Sequence, residues 1–305
     1  VAKKRYGQQI INDGGVPCDR LDVKGLDIVR SSFPPAMRDL MTKVLKDILG
    51  GGELNNHEAI ITLKQSGHSV ETINSHLVNP NWIRERDNFI IANFVNLSAE
   101  CKSLLLDKNY LIYEHDHKYI KSRNPGLYKE FIAPKDQIVN LEFYQKAKAV
   151  LCQSNFHLEI IKSNIGLNNL INLSGNLWSI ESLEYMKNIS HKPKENKHCI
   201  LKSSIIHKNT YDAIKYCNIK KYDYVLVSDL NYYNFLSKMG KNKTFIFFPK
   251  TPETLSRVTV EARMMNMKTI TNNKVGASQE PWFKLKGEEL ITKMIGKREE
   301  ITNTI

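Results

Sequence analysis

Residues 247–262 read FFPKTPETLSRVTVEA, and their pattern decides the fold. The apolar residues at the start belong to a predicted strand that ends in Pro249, and a predicted helix begins near Val258. A strand, a short loop and a helix form the unit from which α/β proteins are built. The chain repeats this unit on both sides of the stretch.

From Gly50 onward, short apolar segments alternate with amphipathic segments of ten to fifteen residues. The predicted strands are Ser69–Ile73, Phe89–Phe94, Tyr110–Tyr113, Ala149–Cys152, Leu170–Leu173, Cys199–Lys202, Tyr224–Val227, Thr244–Phe248 and Thr269–Thr271. The predicted helices include Asn55–Gln65, Gln137–Lys146, Phe156–Asn164, Thr210–Cys217 and Val258–Met265. This alternation predicts parallel sheets with helices on both faces, which is the α/β class.

The polar stretch Ser190–Lys197, which contains a proline, three lysines and a glutamate, is the natural linker between two such units. It divides the chain into residues 50–190 and 191–305, and we expect two Rossmann-like domains. Residues 1–49 differ in character and end in a predicted helix. Because the glycine-rich stretch 50–52 follows a helix rather than a strand, we expect the first domain to lack its first strand.

The composition excludes several classes of protein. No apolar run reaches the roughly 20 residues that a membrane helix needs, and the basic start of the chain leads into no apolar signal segment. The cysteines are odd in number and never in C-x-x-C spacing, which argues against a zinc site or a disulfide framework. We therefore expect a cytoplasmic protein. The five cysteines are Cys18, Cys101, Cys152, Cys199 and Cys217.

The net charge of +12 is open to three interpretations. Basic proteins attract nucleic acid, a lysine-rich solvated surface has the same composition, and positive charge also suits an anionic substrate such as a nucleotide diphosphate. Since the charge is spread along the whole chain, it does not choose among the three.

The loop and helix of the opening stretch carry two glutamates, Glu253 and Glu261, separated by seven residues. Free backbone N–H groups and the helix dipole make such a corner suitable for binding an anion. Ligands of doubly wound sheets bind outside the carboxyl ends of the strands, where Glu253 is predicted to lie. Glu261, two helical turns further on, can lie along the same face. Two solvated helix glutamates are the plainer alternative.

This stretch resembles the Glu-x7-Glu motif of retaining glycosyltransferases with the GT-B fold, and in particular glycosyltransferase family 4. The resemblance implies that Glu253 lies beside the donor sugar and that Glu261 binds the nucleotide ribose. The family often has Gly-Phe-Gly after the first glutamate, where this chain has Thr254, Leu255 and Ser256. The backbone amides of Thr254 and Leu255 are still candidates for binding the diphosphate.

Other segments resemble the same family in the same order. Lys208 follows a strand where the family places a diphosphate-binding lysine, although the family's arginine a few residues earlier is missing. His115, after another strand, resembles the family's histidine near the donor sugar. The cluster Glu114–His117 also suits a metal site, but the chain offers no further convincing ligand, so we expect no metal.

The segment Gly50-Gly51-Gly52-Glu53 resembles the family's Gly-Gly-x-Glu opening, in which glycines let the backbone approach the diphosphate or the acceptor. Gly51 and Gly52 are therefore candidate ligand-binding residues. The resemblance covers about residues 50–296.

Residues 1–49 resemble the palm-to-thumb region of a family B DNA polymerase. Lys3-Lys4-Arg5-Tyr6 is similar to the element of that family that touches primer-template DNA, and Asp22–Ser32 to the stretch that leads towards the thumb. The metal-binding carboxylate motifs of that family are absent here, so this segment is not expected to transfer phosphoryl groups.

The sequence therefore predicts a glycosyltransferase of the hexosyltransferase type, retaining and metal-independent, that uses a nucleotide-diphosphate sugar and needs no other cofactor. Its acceptor is an unknown glycan, lipid or protein, and no specific nucleic acid binding is expected. The alternative is an inactive gene-fusion product or a DNA-binding fragment derived from a polymerase.

Overall fold

The computed structural model describes residues 50–305, which form an α/β structure with two parallel four-stranded sheets. The predicted fold class is confirmed. The polymerase-like segment 1–49 lies outside the described residues. No helix of residues 50–305 is long and apolar enough to cross a membrane.

The first sheet has the strand order β1-β2-β3-β4, and every pair is parallel. Its strands are β1 (Asn88–Ile91), β2 (Asn109–Tyr113), β3 (Ala149–Cys152) and β4 (Leu170–Asn172). Its helices are α1 (Gly51–Gln65), α2 (Pro80–Arg84), α3 (Ala99–Leu106), α4 (Leu141–Lys146) and α5 (Asn155–Ile165). Among the described residues β1 has a partner on one side alone, so it is an edge strand there.

The second sheet has the order β6-β5-β7-β8, again with parallel pairs throughout. Its strands are β5 (Glu195–Leu201), β6 (Tyr224–Val227), β7 (Asn242–Phe247) and β8 (Lys268–Thr271). The helices of this half are α6 (Ile180–Ser190), α7 (Thr210–Lys220), α8 (Tyr232–Gly240), α9 (Arg257–Met264) and α10 (Gly287–Thr304).

Local sequence explains where several helices begin and end. The hydroxyl of Ser154 accepts a hydrogen bond from the backbone of His157 and so caps α5, and Ser179 caps α6 in the same way. Gly166 ends α5 in the left-handed conformation, with φ of 61°. These residues therefore set where α5 begins and ends and where α6 begins.

Apolar side chains pack on both faces of each sheet. One face of the first sheet packs against α1, through residues such as Ala59 and Leu151, and the other face packs against α3, α4 and α5. In the second sheet, one face packs against α6, α8, α9 and α10. On its other face, Ile200 and Ile246 pack against Ala213 and Cys217 of α7.

Helix α10 connects the two halves. Its first turns contribute Leu290 and Met294 to the core of the second half, whereas Ile301 packs with Leu151 in the core of the first half. Nη1 of Arg298 also donates a 2.6 Å hydrogen bond to Oε1 of Glu58 on α1. The same helix is therefore part of both cores.

Three details of the sequence prediction are corrected. Residues Ser69–Ile73 form no strand, and none of their side chains is buried, so pairing there would add nothing to a core. Strand β5 begins at Glu195, inside the predicted linker, because Glu195 N donates a 2.7 Å hydrogen bond to Lys241 O. Helix α4 begins only at Leu141, since Asn140 before it has a left-handed backbone. The domain boundary at 190/191 stays a prediction.

Candidate active site

The loop that carries Glu253 lies at the carboxyl end of β7 and is tied to the loop after β8. The amide of Glu253 donates to Lys274 O at 2.8 Å, and the amide of Gly276 donates back to Glu253 O at 3.0 Å. Thr254 and Leu255 follow in the same loop, and among the described residues neither of their amides has a hydrogen-bond acceptor. Thr254 is half-buried whereas Leu255 is fully buried, so of the two amides that of Thr254 is the one open to an anion in this conformation.

Lys208 and Glu253 are in direct contact. Lys208 lies in the 3₁₀ turn Ile206–Lys208 that follows β5, and its Nζ is 2.8 and 3.0 Å from the two carboxylate oxygens of Glu253. Asn209 supports the turn with a left-handed backbone and a 2.8 Å hydrogen bond to Phe248 O. The side chains of the pair remain 28% and 14% exposed, so a solvent-borne ligand can reach both.

Glu261 lies in a buried cluster further along α9. Its Oε1 accepts hydrogen bonds from Trp178 Nε1 at 3.0 Å and from the hydroxyl of Tyr232 at 2.8 Å, and Arg257 Nε is 3.6 Å away. Burial and the nearby charge of Glu261 raise the pKa of Tyr232 well above its usual value, which keeps its hydroxyl a donor. The carboxylate is thus held rigidly rather than solvated.

Ser256, between the two glutamates, has an unusual backbone. Its φ is 74°, a region that side chains other than glycine rarely adopt, and the residue is almost fully buried. A residue other than glycine therefore holds a left-handed turn between the two glutamates.

His115 enters from the first half, just beyond the carboxyl end of β2. Its ring stacks on Tyr113 with a centroid distance of 4.9 Å. One ring nitrogen, Nδ1, lies 2.5 Å from Gln153 Nε2 and therefore accepts, and Nε2 lies 2.6 Å from Asn56 Oδ1 and therefore donates. Burial and then the charge of Lys118 lower the pKa of His115 to about 3. The imidazole is neutral with its proton on Nε2.

Thr254 joins the two halves across this crevice. Its hydroxyl lies 3.3 Å from His115 O and 3.2 Å from Gln153 Oε1, and its own carbonyl accepts a 2.6 Å hydrogen bond from Ser154 Oγ. The loop after β7 and the ends of β2 and β3 therefore meet in one place. Gln153 binds both His115 and Thr254.

Gly51 and Gly52 are the first residues of helix α1, so they form a helix N-terminus rather than the open loop that the resemblance implies. No side chain caps this end. A methyl group on Gly51 would lie 3.0 Å from Cδ of Arg257, and one on Gly52 would lie 3.6 Å from Cγ of His115. The glycines thus allow α1 to approach both side chains.

Sequence reasoning did not find three residues of this crevice. Gln153 and Asn56 hold the ring of His115, and Arg257 lies over the ring of Trp178 at 4.4 Å while it donates to Leu177 O at 2.6 Å. A signal existed for Gln153, because it directly follows β3, the neighbour of the strand that precedes His115. No pattern in the sequence pointed to Asn56 or Arg257.

The acidic residues on either side of His115 are paired with cations. Glu114 is buried with Lys118 and Tyr144, and burial raises its pKa to about 7. Asp116 pairs with Arg123 and also with Lys118, whose Nζ bridges it to Glu114. Within residues 50–305 no group of three or more His, Cys, Asp or Glu side chains is arranged to hold a metal ion.

The predicted site residues thus fall into two neighbouring groups. Lys208 and Glu253 are in contact, and Thr254 links their loop to His115, beside Gly52. Glu261 belongs to the adjoining buried cluster, with Arg257 between it and the start of α1. The roles of these residues stay predictions.

No family model matches the sequence, and no curated protein sequence matches it either. Among solved structures, the chain aligns with a glycosyltransferase from Rickettsia africae at 15% identity and a TM-score of 0.42, over 80% of this chain and 82% of that one. It aligns with the wall teichoic acid polymerase TagF at 8% identity and a TM-score of 0.36, over 82% and 79%. It aligns with MurG of Acinetobacter baumannii at 9% identity and a TM-score of 0.36, over 84% and 96%. Similarities this low carry no argument about activity.

Proposed function

We propose that this chain is a glycosyltransferase that moves a sugar from a nucleotide-diphosphate donor to an acceptor. The observation that supports the proposal most is the contact between Lys208 and Glu253 at the carboxyl ends of β5 and β7. A cation and a carboxylate placed there, beside the backbone amide of Thr254, suit the diphosphate and the sugar hydroxyls of such a donor.

Each residue has a role under this proposal. Lys208 leaves its contact with Glu253 and neutralises the charge that grows on the departing diphosphate, a task that a metal performs in other transferases. The amide of Thr254 binds the same phosphates, and that of Leu255, which is fully buried here, joins it only when the loop opens. The uncapped start of α1, with Gly51 beside Arg257 and Gly52 beside His115, adds the positive end of a helix from the other half.

The sugar and the ribose fall to the remaining polar groups. Glu253 binds hydroxyls of the sugar, and Glu261 binds the ribose after exchanging one of its present donors for a ribose hydroxyl. His115, neutral and fixed by Asn56 and Gln153, lies on the sugar side. The resemblance to family 4 supports retention at the anomeric carbon and a reaction without an obligatory metal.

Ligand binding is the first test. Purified protein is heated with UDP, GDP, CDP or ADP at physiological salt, and the melting temperature is recorded. We expect one nucleotide to stabilise the fold selectively, by about 2.7 kcal/mol at 100 times its Kd. Lys208→Met and Glu261→Gln are expected to lose most of that stabilisation, since each removes one charge with little change of volume.

The matched control is Lys250→Met. This lysine is exposed in the same loop as Glu253 and makes no side-chain ion pair with any described residue. It should keep the full stabilisation by the nucleotide. Equal losses in all three variants, or no response to any nucleotide, would argue against the proposed site.

Turnover is the second test. A panel of nucleotide sugars is screened for release of the nucleoside diphosphate, with and without EDTA, and the anomer of the product is read by NMR. Release that survives EDTA, with the anomeric configuration of the donor kept, supports a metal-independent retaining enzyme. Inversion of configuration would contradict that part of the proposal.

A further inference from the structure

One face of the second sheet is only half covered. Helix α7 packs over Ile200 and Ile246, towards the carboxyl ends of the strands. The amino half of the same face carries polar residues such as Asn196, His198 and Thr244, and these line an open depression of about 740 Å³. The depression wraps around the amino edge of the sheet, because Lys243 alternates with Thr244 along β7 and Arg263 of α9 also lines it.

The groove is strongly basic. Lys221, Lys243 and Lys268 line it and are exposed, and none of their ammonium groups lies within 4.0 Å of a carboxylate of the described residues. Asp223 is the one acidic residue among those that line it. The lysines belong to β6, β7 and β8 or the turns before them, so they span up to three strand spacings, about 14 Å.

An aromatic platform lies beside these lysines. The rings of His198 and Tyr222 stack with a centroid distance of 4.2 Å and an interplanar angle of 3°. Both residues line the groove, and Tyr222 remains 37% exposed. A planar ring next to a row of unpaired cations is the combination with which proteins bind the bases and the phosphates of single strands.

We propose that this groove binds single-stranded nucleic acid without sequence preference. The three lysines contact successive phosphates, and a base stacks on Tyr222. Single strands are favoured over duplex because only unpaired bases offer a free face for stacking.

Charge and shape disfavour the other occupants. Residues 1–49 contain nine Lys or Arg and six Asp or Glu, so they carry positive charge themselves, as does a second copy of this chain at +12. A flat bilayer does not reach the floor of a concave groove, and an acidic peptide offers no base to the ring of Tyr222. These occupants become outcomes of the test.

The proposal is independent of the glycosyltransferase site. Lys208 and Glu253 follow the carboxyl ends of β5 and β7, whereas the groove lies at the amino ends of the same sheet. The seven residues of β5 separate the two ends by about 23 Å. Nucleoside diphosphate binding therefore serves as a separate readout for every variant below.

The test is fluorescence anisotropy with a labelled 20-nucleotide oligo(dT) at 50–200 mM salt. With three phosphate contacts, we expect the logarithm of the affinity to fall with the logarithm of salt at a slope of about −2. The variant with Lys221→Glu, Lys243→Glu and Lys268→Glu is expected to bind at least 10-fold more weakly. Tyr222→Ala is expected to lose about 10-fold, and Tyr222→Phe to bind as the wild type does.

The matched control carries the same charge change elsewhere, as Lys121→Glu, Lys135→Glu and Lys148→Glu. These lysines are exposed in the first half of the chain. The control should stay within threefold of the wild type, and melting temperatures check that each variant folds.

Three results would overturn the proposal. One is an equal loss in both triple variants, which would mean that only overall charge matters. Another is binding of polyglutamate or of phosphatidylserine vesicles as tight as that of oligo(dT). The third is no binding of oligo(dT) at 50 mM salt by wild-type protein that melts cooperatively.

Discussion

Gly276 offers the sharpest test of how the Glu253 loop is held. A methyl group at this position would lie 2.5 Å from Ser154 Oγ and 2.9 Å from Glu253 O, and closer still to Thr254 O. Ordinary contact begins at 3.4 Å, so the backbone at Glu253 must retreat by about 0.5 Å and the hydroxyl of Ser154 must turn away. Neither movement leaves the contacts between the two halves intact.

The cost follows from these distances. Overpacking of a tight interior site destabilises a protein by about 1–3 kcal/mol, and we expect Gly276→Ala to lie near 2 kcal/mol. In a chain of this size that lowers the melting temperature by about 4–8 °C. Displacement of Glu253 should also weaken binding of the nucleoside diphosphate, by about 10-fold or more.

Urea denaturation and nucleotide titration measure the two effects. Gly296→Ala is the matched control, since this glycine lies inside α10 with nothing within 4 Å of the added methyl group. Gly296→Ala should raise the free energy of unfolding by up to about 1 kcal/mol, whereas Gly276→Ala should lower it. If Gly276→Ala unfolds with the free energy of the wild type, the close packing of the two loops is not what holds Glu253.

Other predictions test single features. Ser256→Val should lower the free energy of unfolding by about 1–3 kcal/mol, because φ of 74° strains a β-branched residue, whereas Ser256→Gly should be nearly neutral in the same urea titration. Burial lowers the pKa of His117 to about 4. Between about pH 6.5 and pH 4 the unfolded chain therefore binds a proton at this residue that the folded chain does not. The free energy of unfolding falls as the pH falls through that range. From pH 7 to pH 5, urea titrations should show the free energy of unfolding of His117→Asn falling by about 1–2 kcal/mol less than that of the wild type. Equal falls in the two proteins would contradict this. Arg298→Met should lower the free energy of unfolding by about 3–5 kcal/mol, because it leaves the Glu58 carboxylate buried and unpaired. Adding Glu58→Gln should restore part of that loss. A double variant no more stable than Arg298→Met would refute this explanation.

The sequence was sufficient to predict most strands because the buried ones are continuous apolar runs. Ala149–Cys152 and Tyr224–Val227 were predicted with their observed bounds. The prediction failed at Ser69–Ile73, where the apolar residues Val70 and Ile73 lie three residues apart and meet no partner strand. An apolar pattern shows which residues a segment is able to bury, but it does not show whether another strand or helix packs against them.

The contact between Lys208 and Glu253 was within reach of sequence reasoning, since the carboxyl ends of neighbouring parallel strands meet at one edge. The burial of Glu261 was not. It depends on Trp178 and Tyr232, which come from segments far away in the chain and whose approach no local pattern reveals. The position of the proton on the His115 ring likewise depends on Gln153, which donates from the residue after the next strand.

Helix α10 completes the hydrophobic core of the first half, which the earlier part of the chain leaves incomplete. Ile301 fills space beside Leu151, although the first sheet ends at Asn172. A polypeptide severed between Ser190 and Glu195 would therefore yield two pieces, each with an apolar surface shaped for the other. Mixed together, such pieces are expected to reassociate.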